Sequence, residues 1–552
     1  MLLCDLPEVI IAIIIEGRLG VHYNAVYYLK EMLPLLAVCR QWRRVAIPLV
    51  YNAVFVKYRD DSDSDDDASI DSQTREETTN VVIKTNLDLV AMVSHAHAVK
   101  RVRIDVHCLT NPLPGWQEVI QRMRTAASKW RVVELAVDMQ PDEHSYDGNV
   151  VDMANYADEV AEVSDMLTTL MPDVRSLECG SNRSPISQSL WGRLASHYAE
   201  QLQRFESHRP MILPLDCQFV KLKMFHTNYN YVNGYQLPHV ASGELVEVSL
   251  VYGPPNHSWA SFSADNDSWA IEFPNLTKLC VEYHSVYLEN EIAVRHRDGH
   301  PWRLHFPSLK VLYIECFRDI CPLLEYAVLP PHMESITLDM RSAAYLEMAS
   351  VVLPMTKRLS ICISRHSSGD PIGLPVANRI LESAHGCEEL KLRIDDQMVY
   401  VLPETLTCTA LTHLEVSSII SVDTMFAVIR TLPKLVMLAL HNLDLSNIRA
   451  NLRVTYADKD AVVESLHPSL KSLYITASWN SRGRNTARAV AMLQYMLLRI
   501  PTLTRAHSWD IPKEPVRHFV WSYTPRYPHL SGVVLELHGE RESPFMWPHL
   551  EG

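Results

Sequence analysis

The sequence predicts an α/β protein: a small N-terminal helical module followed by a long array of strand-and-return units whose strands form a curved parallel sheet. Three observations lead there. A phrase of one aliphatic, two variable residues, a second aliphatic, one variable residue and a third aliphatic recurs along most of the chain. Several stretches between copies carry apolar residues three and four apart, the period of a helix with one buried stripe. The first 50 residues have apolar residues on a helical spacing.

Composition sets the outer limits. At 552 residues, 47% hydrophobic and 21% charged, the chain is an ordinary folded protein, longer than one compact core usually supports. Seventeen glycines against 32 prolines argue against glycine-rich phosphate loops and for short elements punctuated by proline. The net charge is −14, and residues 60–77 alone, with nine acids and one base, contribute −8 of it. Nucleic acid is not an expected partner, because phosphate binding needs a concentrated basic surface. The 11 cysteines form no C-x-x-C pair, so neither a zinc ribbon nor a redox motif is written, and reduced thiols in a cytoplasmic or nuclear setting are expected. No run approaches the roughly 20 apolar residues that span a bilayer. No cofactor, metal or membrane is expected.

Taken in order, Leu6-Pro7 opens an apolar helical run through Ile10, Ile11 and Ile14, with proline suited to a first helical turn. Leu33 to Val38 is a second apolar segment, and it leads into Cys39-Arg40-Gln41-Trp42-Arg43-Arg44 and the exit Pro48-Leu49. Val54 to Tyr58 reads as a strand. The run DDSDSDDD (60–67) is self-repelling and nearly free of apolar residues, so about 60–79 is expected to be an unstructured insertion, with Ser62 and Ser64 set among acids as acidophilic kinases prefer.

The repeated phrase then appears as VKRVRI (99–104), VVELAV (132–137), VRSLEC (174–179), LQRFES (202–207) and LVEVSL (245–250). Its clearest copies follow: FPNLTKLCV (273–281), FPSLKVLYI (306–314), LPKLVMLAL (432–440) and HPSLKSLYI (467–475). MESITL (333–338), TKRLSI (356–361), CEELKL (387–392), LTHLEV (411–416), LTRAHS (503–508) and LSGVVL (530–535) complete a loose series spaced 23 to 35 residues apart. The L-x-[LIV] core of each copy has the two-residue period of a strand with one buried face. Thr424 to Leu432 and Thr486 to Leu498 have the apolar spacing of return helices. A unit this small cannot bury its own apolar face, so units must stack.

This arrangement resembles the leucine-rich-repeat solenoid in a degenerate form without a regular asparagine ladder. The start of the chain resembles the F-box, whose pattern of L-P, then V-C-[KR]-x-W, then a proline-leucine exit falls on Leu6, Pro7, Ile10, Ile14, Leu36, Val38, Cys39 and Trp42. The expected organisation is therefore an F-box-like module over 1–52 and a leucine-rich-repeat-like array over 53–552. The resemblance implies a non-catalytic substrate receptor of a cullin-RING ubiquitin ligase: Leu6, Pro7, Ile10, Ile14, Leu36, Val38, Cys39 and Trp42 dock on a Skp-type adaptor joined to a cullin scaffold, and the repeats hold a protein substrate.

The residues facing away from the core in each L-x-[LIV] strand are the candidates for that substrate face. They include Tyr313, Lys391, Glu415 and Tyr474, and one step further Glu282, Glu315, Asp339, Arg393 and His441. Acids lead and bases follow, a gradation suited to selecting a protein by charge and aromatic contact. No H-E-x-x-H, G-x-S-x-G, G-x-x-x-x-G-K-[ST] or G-x-G-x-x-G occurs, and pairs such as His95 and His97 read as surface residues. The alternatives are a repeat scaffold that binds partners without a ligase, its N-terminal module acting as a cap, and, further off, a hydrolase with an unrecognised site.

Overall fold

The computed structural model describes residues 39–50, 52–60, 81–87, 90, 98–107, 112–140, 156–180, 185–208, 217–228, 239–251, 270–283, 303–316, 323–324, 327–340, 353–364, 386–395, 408–445, 465–477, 486–508, 511 and 513–537. Leu6, Pro7, Ile10, Ile14, Leu36 and Val38 lie outside these residues, as do nearly all of the acidic run and the His95 and His97 pair. The protein is mixed α/β with extensive parallel sheet. Contacts divide it into two compact units, residues 1–276 with 295–302, and residues 277–294 with 303–552.

The first unit holds strands β1 (Ala53–Asp60), β2 (Val81–Thr85), β3 (Arg101–His107), β4 (Glu134–Gln140), β5 (Ser176–Cys179), β6 (Arg204–Ser207), β7 (Gln218–Phe219), β8 (Met224–Asn228), β9 (His239–Val240), β10 (Glu247–Val251) and β11 (Ala270–Glu272). Its main sheet runs β2-β1-β3-β4-β5-β6-β8-β10; β1 and β2 are antiparallel and every other pair is parallel. The five upstream copies of the phrase supply β3, β4, β5, β6 and β10. Their alternation puts Val102, Ile104, Leu135, Val137, Leu177 and Phe205 on one face, all nearly inaccessible to water.

Helix α1 (Arg40–Val50) precedes β1, and helices α2 (Leu113–Ala126), α3 (Ala157–Leu170) and α4 (Pro185–Tyr198) return the chain between successive parallel strands. Such a crossover needs a dozen or more residues, which these helices provide. They bury Trp116, Val119 and Met123, then Val160, Val163 and Leu167, then Leu190, Trp191 and Leu194. The indole of Trp130 donates to the carbonyl of Met123 at 3.2 Å, and the hydroxyl of Tyr198 donates to that of Met171 at 2.9 Å, so these amphipathic rings tie loops to helices while filling the core. The antiparallel β2 carries no copy of the phrase. Asn86 just beyond it accepts from the Phe55 amide and donates to the Ala53 carbonyl, both at 3.0 Å, locking the strand pair.

The second unit holds β12 (Lys278–Tyr283), β13 (Arg303–His305), β14 (Val311–Cys316), β15 (Ala327–Val328), β16 (His332–Met340), β17 (Met355–Ser364), β18 (Glu389–Asp395), β19 (His413–Ser421), β20 (Met437–Asp444), β21 (Ser472–Ala477), β22 (Arg505–Ser508) and β23 (Val534–Leu537). Ten of these, β12-β14-β16-β17-β18-β19-β20-β21-β22-β23, pair in parallel in chain order, one for each copy of the phrase from FPNLTKLCV onward. Helices α5 (Val422–Thr431), α6 (Thr486–Arg499) and α7 (Lys513–Tyr523) are returns. The first two fall where the apolar spacing predicts them. Ser421 caps α5 by accepting from the Thr424 amide at 3.1 Å.

The proline that introduces several copies has a local cause. In FPSL and LPKL the amide of the leucine bonds to the carbonyl three residues earlier, Leu309 to Phe306 at 3.3 Å and Leu435 to Leu432 at 3.0 Å, which makes a turn with proline at its second position. HPSL does this differently. The imidazole Nδ1 of the buried His467 accepts from the amides of Ser469 and Leu470, at 3.1 and 2.9 Å, and Nε2 lies 2.8 Å from the Leu432 carbonyl. Two incoming N–H groups require an unprotonated Nδ1, so the neutral ring donates from Nε2.

Each turn delivers the next strand in register, aligning Leu279, Leu312, Ile336, Leu359, Leu390, Leu414, Leu438 and Leu473 as one buried column across eight strands. The register shifts between Val416 and Ile419, where Ser418 turns inward and its hydroxyl donor-acceptor group accepts from the Ile394 amide at 2.8 Å, and again between Leu440 and Leu443.

Candidate protein-binding face

The residues between the two inward aliphatics of each strand line up as expected in the second unit. Cys280, Tyr313, Thr337, Ser360, Lys391, Glu415, Ala439 and Tyr474 are successive register partners. The row continues through His507 and Glu536 on β22 and β23. Those two were not among the expected site residues: the offset that gave Tyr474 from HPSLKSLYI gives His507 from LTRAHS, but from LSGVVL it gives Val534, and the strand register instead sets Glu536, two residues on, beside His507. The second row holds register from Glu282 through Glu315, Asp339 and Cys362 to Arg393, then stops at the shift in β19. His441 therefore belongs with Glu415 and Tyr474 rather than continuing the row from Arg393.

The contacts along this face form a chain from β18 to β23. Lys391 Nζ lies 3.1 Å from Glu415 Oε1, and His441 Nε2 lies 3.2 Å from the same oxygen. The rings of His441 and Tyr474 sit 4.8 Å apart, and those of Tyr474 and His507 stack at 4.8 Å with an interplanar angle of 14°. His507 Nδ1 then reaches Glu536 Oε2 at 3.4 Å, while Arg505 Nε approaches the other oxygen at 3.5 Å. At the other end, the Tyr313 hydroxyl donates to Glu315 at 2.8 Å. Burial and that bond to a carboxylate push the phenol well above its ordinary range. Glu282, Glu315 and Asp339 stand in consecutive register positions there, the acidic end of the gradation.

Exposure departs from expectation. Glu415, Tyr474 and His507 are only 4%, 3% and 8% exposed, whereas Lys391 and His441 keep part of their surface. Strands about 4.8 Å apart bring three adjacent rings into van der Waals contact, so the aromatic members of the row cover one another and the carboxylate beside them. Burial also holds the His507 imidazole below its usual range, against the pull of Glu536. The accessible part of the face is carried by Lys391, Arg393, Tyr313 and Glu282.

The first unit has its own polar face, at the same offset in VKRVRI, VRSLEC and LQRFES. Arg103 Nε contacts Asp105 at 3.1 Å and its other end approaches Glu178 at 3.8 Å. Arg204 pairs with Glu206 at 2.9 Å, Arg101 with Glu134 at 2.8 Å, and His226 with Glu247 at 3.2 Å. His208 lies 3.4 Å from Glu206 and 3.8 Å from Glu178. Burial raises the Asp105 carboxyl although Arg103 opposes it. Among the described residues, no three His, Cys, Asp or Glu side chains come together to hold a metal ion, and no helix is long and apolar enough to cross a membrane.

Of the expected adaptor contacts only Cys39 and Trp42 are described. Cys39 is half-buried, Arg40 and Arg43 are exposed, and Trp42 is 4% exposed. An indole so covered by its own chain is a packed residue, which limits its part in any docking to supporting α1 from within. No protein-family model matches the chain, and no curated protein matches it significantly.

Proposed function

We propose that the chain is the substrate-recognition subunit of a cullin-RING ubiquitin ligase, with an F-box module that docks on a Skp-type adaptor and a leucine-rich-repeat-like solenoid whose curved parallel sheet holds a protein substrate. It performs no chemistry itself. It raises the effective concentration of substrate lysines near an activated ubiquitin carried by another subunit. The observation that carries this reading is the pairing of Leu6-Pro7 with Val38-Cys39-Arg40-Gln41-Trp42 ahead of a series of copies whose polar offsets share one strand register.

Affinity purification from cytoplasm and nucleus with mass spectrometry tests it. Adaptor and cullin co-purify with the wild-type chain and are lost from a Leu6→Ala, Pro7→Ala double variant that melts at the wild-type temperature. An adaptor never captured by the wild-type chain sinks the ligase reading.

The buried Trp42 favours a second reading, a repeat scaffold whose N-terminal module is a cap. On that reading Trp42→Ala costs about 3–5 kcal/mol of stability, as a large core truncation does, and the Leu6/Pro7 variant keeps every partner of the wild type.

A further inference from the structure

Glu178 on β5 and Glu206 on β6 are direct register partners on the polar face of the first unit. Like charges opposite one another on neighbouring strands repel and weaken the pairing. Two arginines stand nearby and offset part of this charge: Arg204 pairs with Glu206 at 2.9 Å, and Arg103, bonded to Asp105, approaches Glu178 only to 3.8 Å.

His208 follows β6 directly. Its amide donates to the Cys179 carbonyl at the end of β5 at 3.1 Å, so its backbone is fixed to the neighbouring strand. Its ring reaches both glutamates while 47% of the side chain stays exposed, leaving the proton free to exchange with water. We infer that His208 is a proton-operated clasp: protonated, it bridges Glu178 and Glu206 and holds β5 to β6; neutral, it leaves the two carboxylates opposed.

The surrounding charges favour the protonated form. Among the described residues, the charged groups acting on the ring are Glu178 on β5, Glu206 on β6 and Asp138 on β4; Arg204 on β6 and Arg103 with Asp105 on β3 act on those acids, so acids outnumber bases. His226 on β8 is the register partner of Glu206 and is engaged by Glu247 on β10, and Lys57 lies beyond on β1. The nearby Glu178 carboxylate, aided by the charge of Glu206, raises the imidazole above its ordinary value despite partial desolvation, and the same proximity lowers Glu178. A histidine raised in the folded state adds stability that is complete below its unfolded value of about 6.5 and is lost as pH climbs through the folded value. The clasp is closed in mild acid and opens as pH climbs through that raised value.

Hydrogen exchange of the full chain at pH 5.5 and 8.5, corrected for intrinsic rates, reads this directly through peptides covering 176–179 and 204–208. In the wild type, protection of these peptides falls about two- to fivefold between the two pH values, the size of effect a partly exposed ion pair can supply. His208→Gln lowers protection at pH 5.5 to the level at pH 8.5. His208→Lys, a cation at both pH values, keeps protection high throughout. A wild-type change that persists in both variants, or no wild-type change, overturns the clasp. If His208→Gln does not fold, His208→Lys alone decides, since a fall equal to that of the wild type is incompatible with the proposal.

Discussion

One offset in the repeated phrase has opposite fates in the two units. In the first it carries Arg103, Glu178 and Glu206, ion pairs whose arginines and acids remain in contact with water, Arg101 of the adjoining row being 61% exposed. In the second, from β19 to β22, it carries Glu415, Tyr474 and His507, each less than a tenth exposed, although Tyr313 and Lys391 earlier in the row keep contact with water. In both units the strands that carry these rows pair in parallel and the rows lie opposite the aliphatic column, so backbone geometry is not the difference. Aromatic rings on consecutive strands stack and close over their neighbours, whereas arginine and glutamate reach outward and pair in solvent.

The contrast predicts where each unit breaks. Tyr474→Ala removes the ring between His441 and His507 and should destabilise the second unit by about 3–5 kcal/mol, as truncation of a buried aromatic does, measured by chemical unfolding. A cost near that of a surface substitution would mean that the row is not packed. Lys391→Met takes the ammonium away from the nearly buried Glu415 and should cost about 1–3 kcal/mol in the same unfolding measurement.

Acidification should separate the units by sign. His507, held low by burial, contributes stability that is complete above about 6.5 and is lost as pH falls through its folded value, the reverse of His208. Between pH 7.5 and 5.5, exchange protection should fall in peptides 505–508 and 534–537 and rise in 204–208. A parallel change in both would dissolve the distinction. Smallest of all, Arg101→Ala breaks an ion pair with Glu134 in which both side chains are widely exposed, so the loss should stay within about 0.2–1 kcal/mol and shrink further at high salt.

Gly180 adds a steric feature on the first unit's face. A Cβ there would collide with the Asp138 carboxylate, whose Oδ1 already accepts from the Met139 amide at 2.9 Å. A glycine in that place lets the acid lie flat along the strand end; no pattern of aliphatics encodes it.

The strands were legible because a two-residue period beside one dry face leaves little choice: a one-residue slip would turn Leu312, Ile336 and Leu359 into water. Every copy of the phrase contributes a strand, and the helices at Thr424 and Thr486 follow from a 3.6-residue period. β2 and β8 were less visible, β2 because its pairing is a long-range antiparallel contact pinned by Asn86, and β8 because LKMFHT (222–227) has Phe225 and Thr227 in place of the second and third aliphatics. The polar row was legible as a set of residues for the same reason the strands were, since alternation fixes which side chains leave the core. Which of them meet was decided in three dimensions. The shift in β19 ends one row at Arg393 and turns His441 toward Glu415 and Tyr474, and strand pairing sets Glu178 against Glu206 with His208 between them. Local sequence determines the direction of a side chain because backbone period is local; its neighbours, burial and proton affinity depend on residues about 20 to 30 positions away that only the folded sheet brings within a few ångströms.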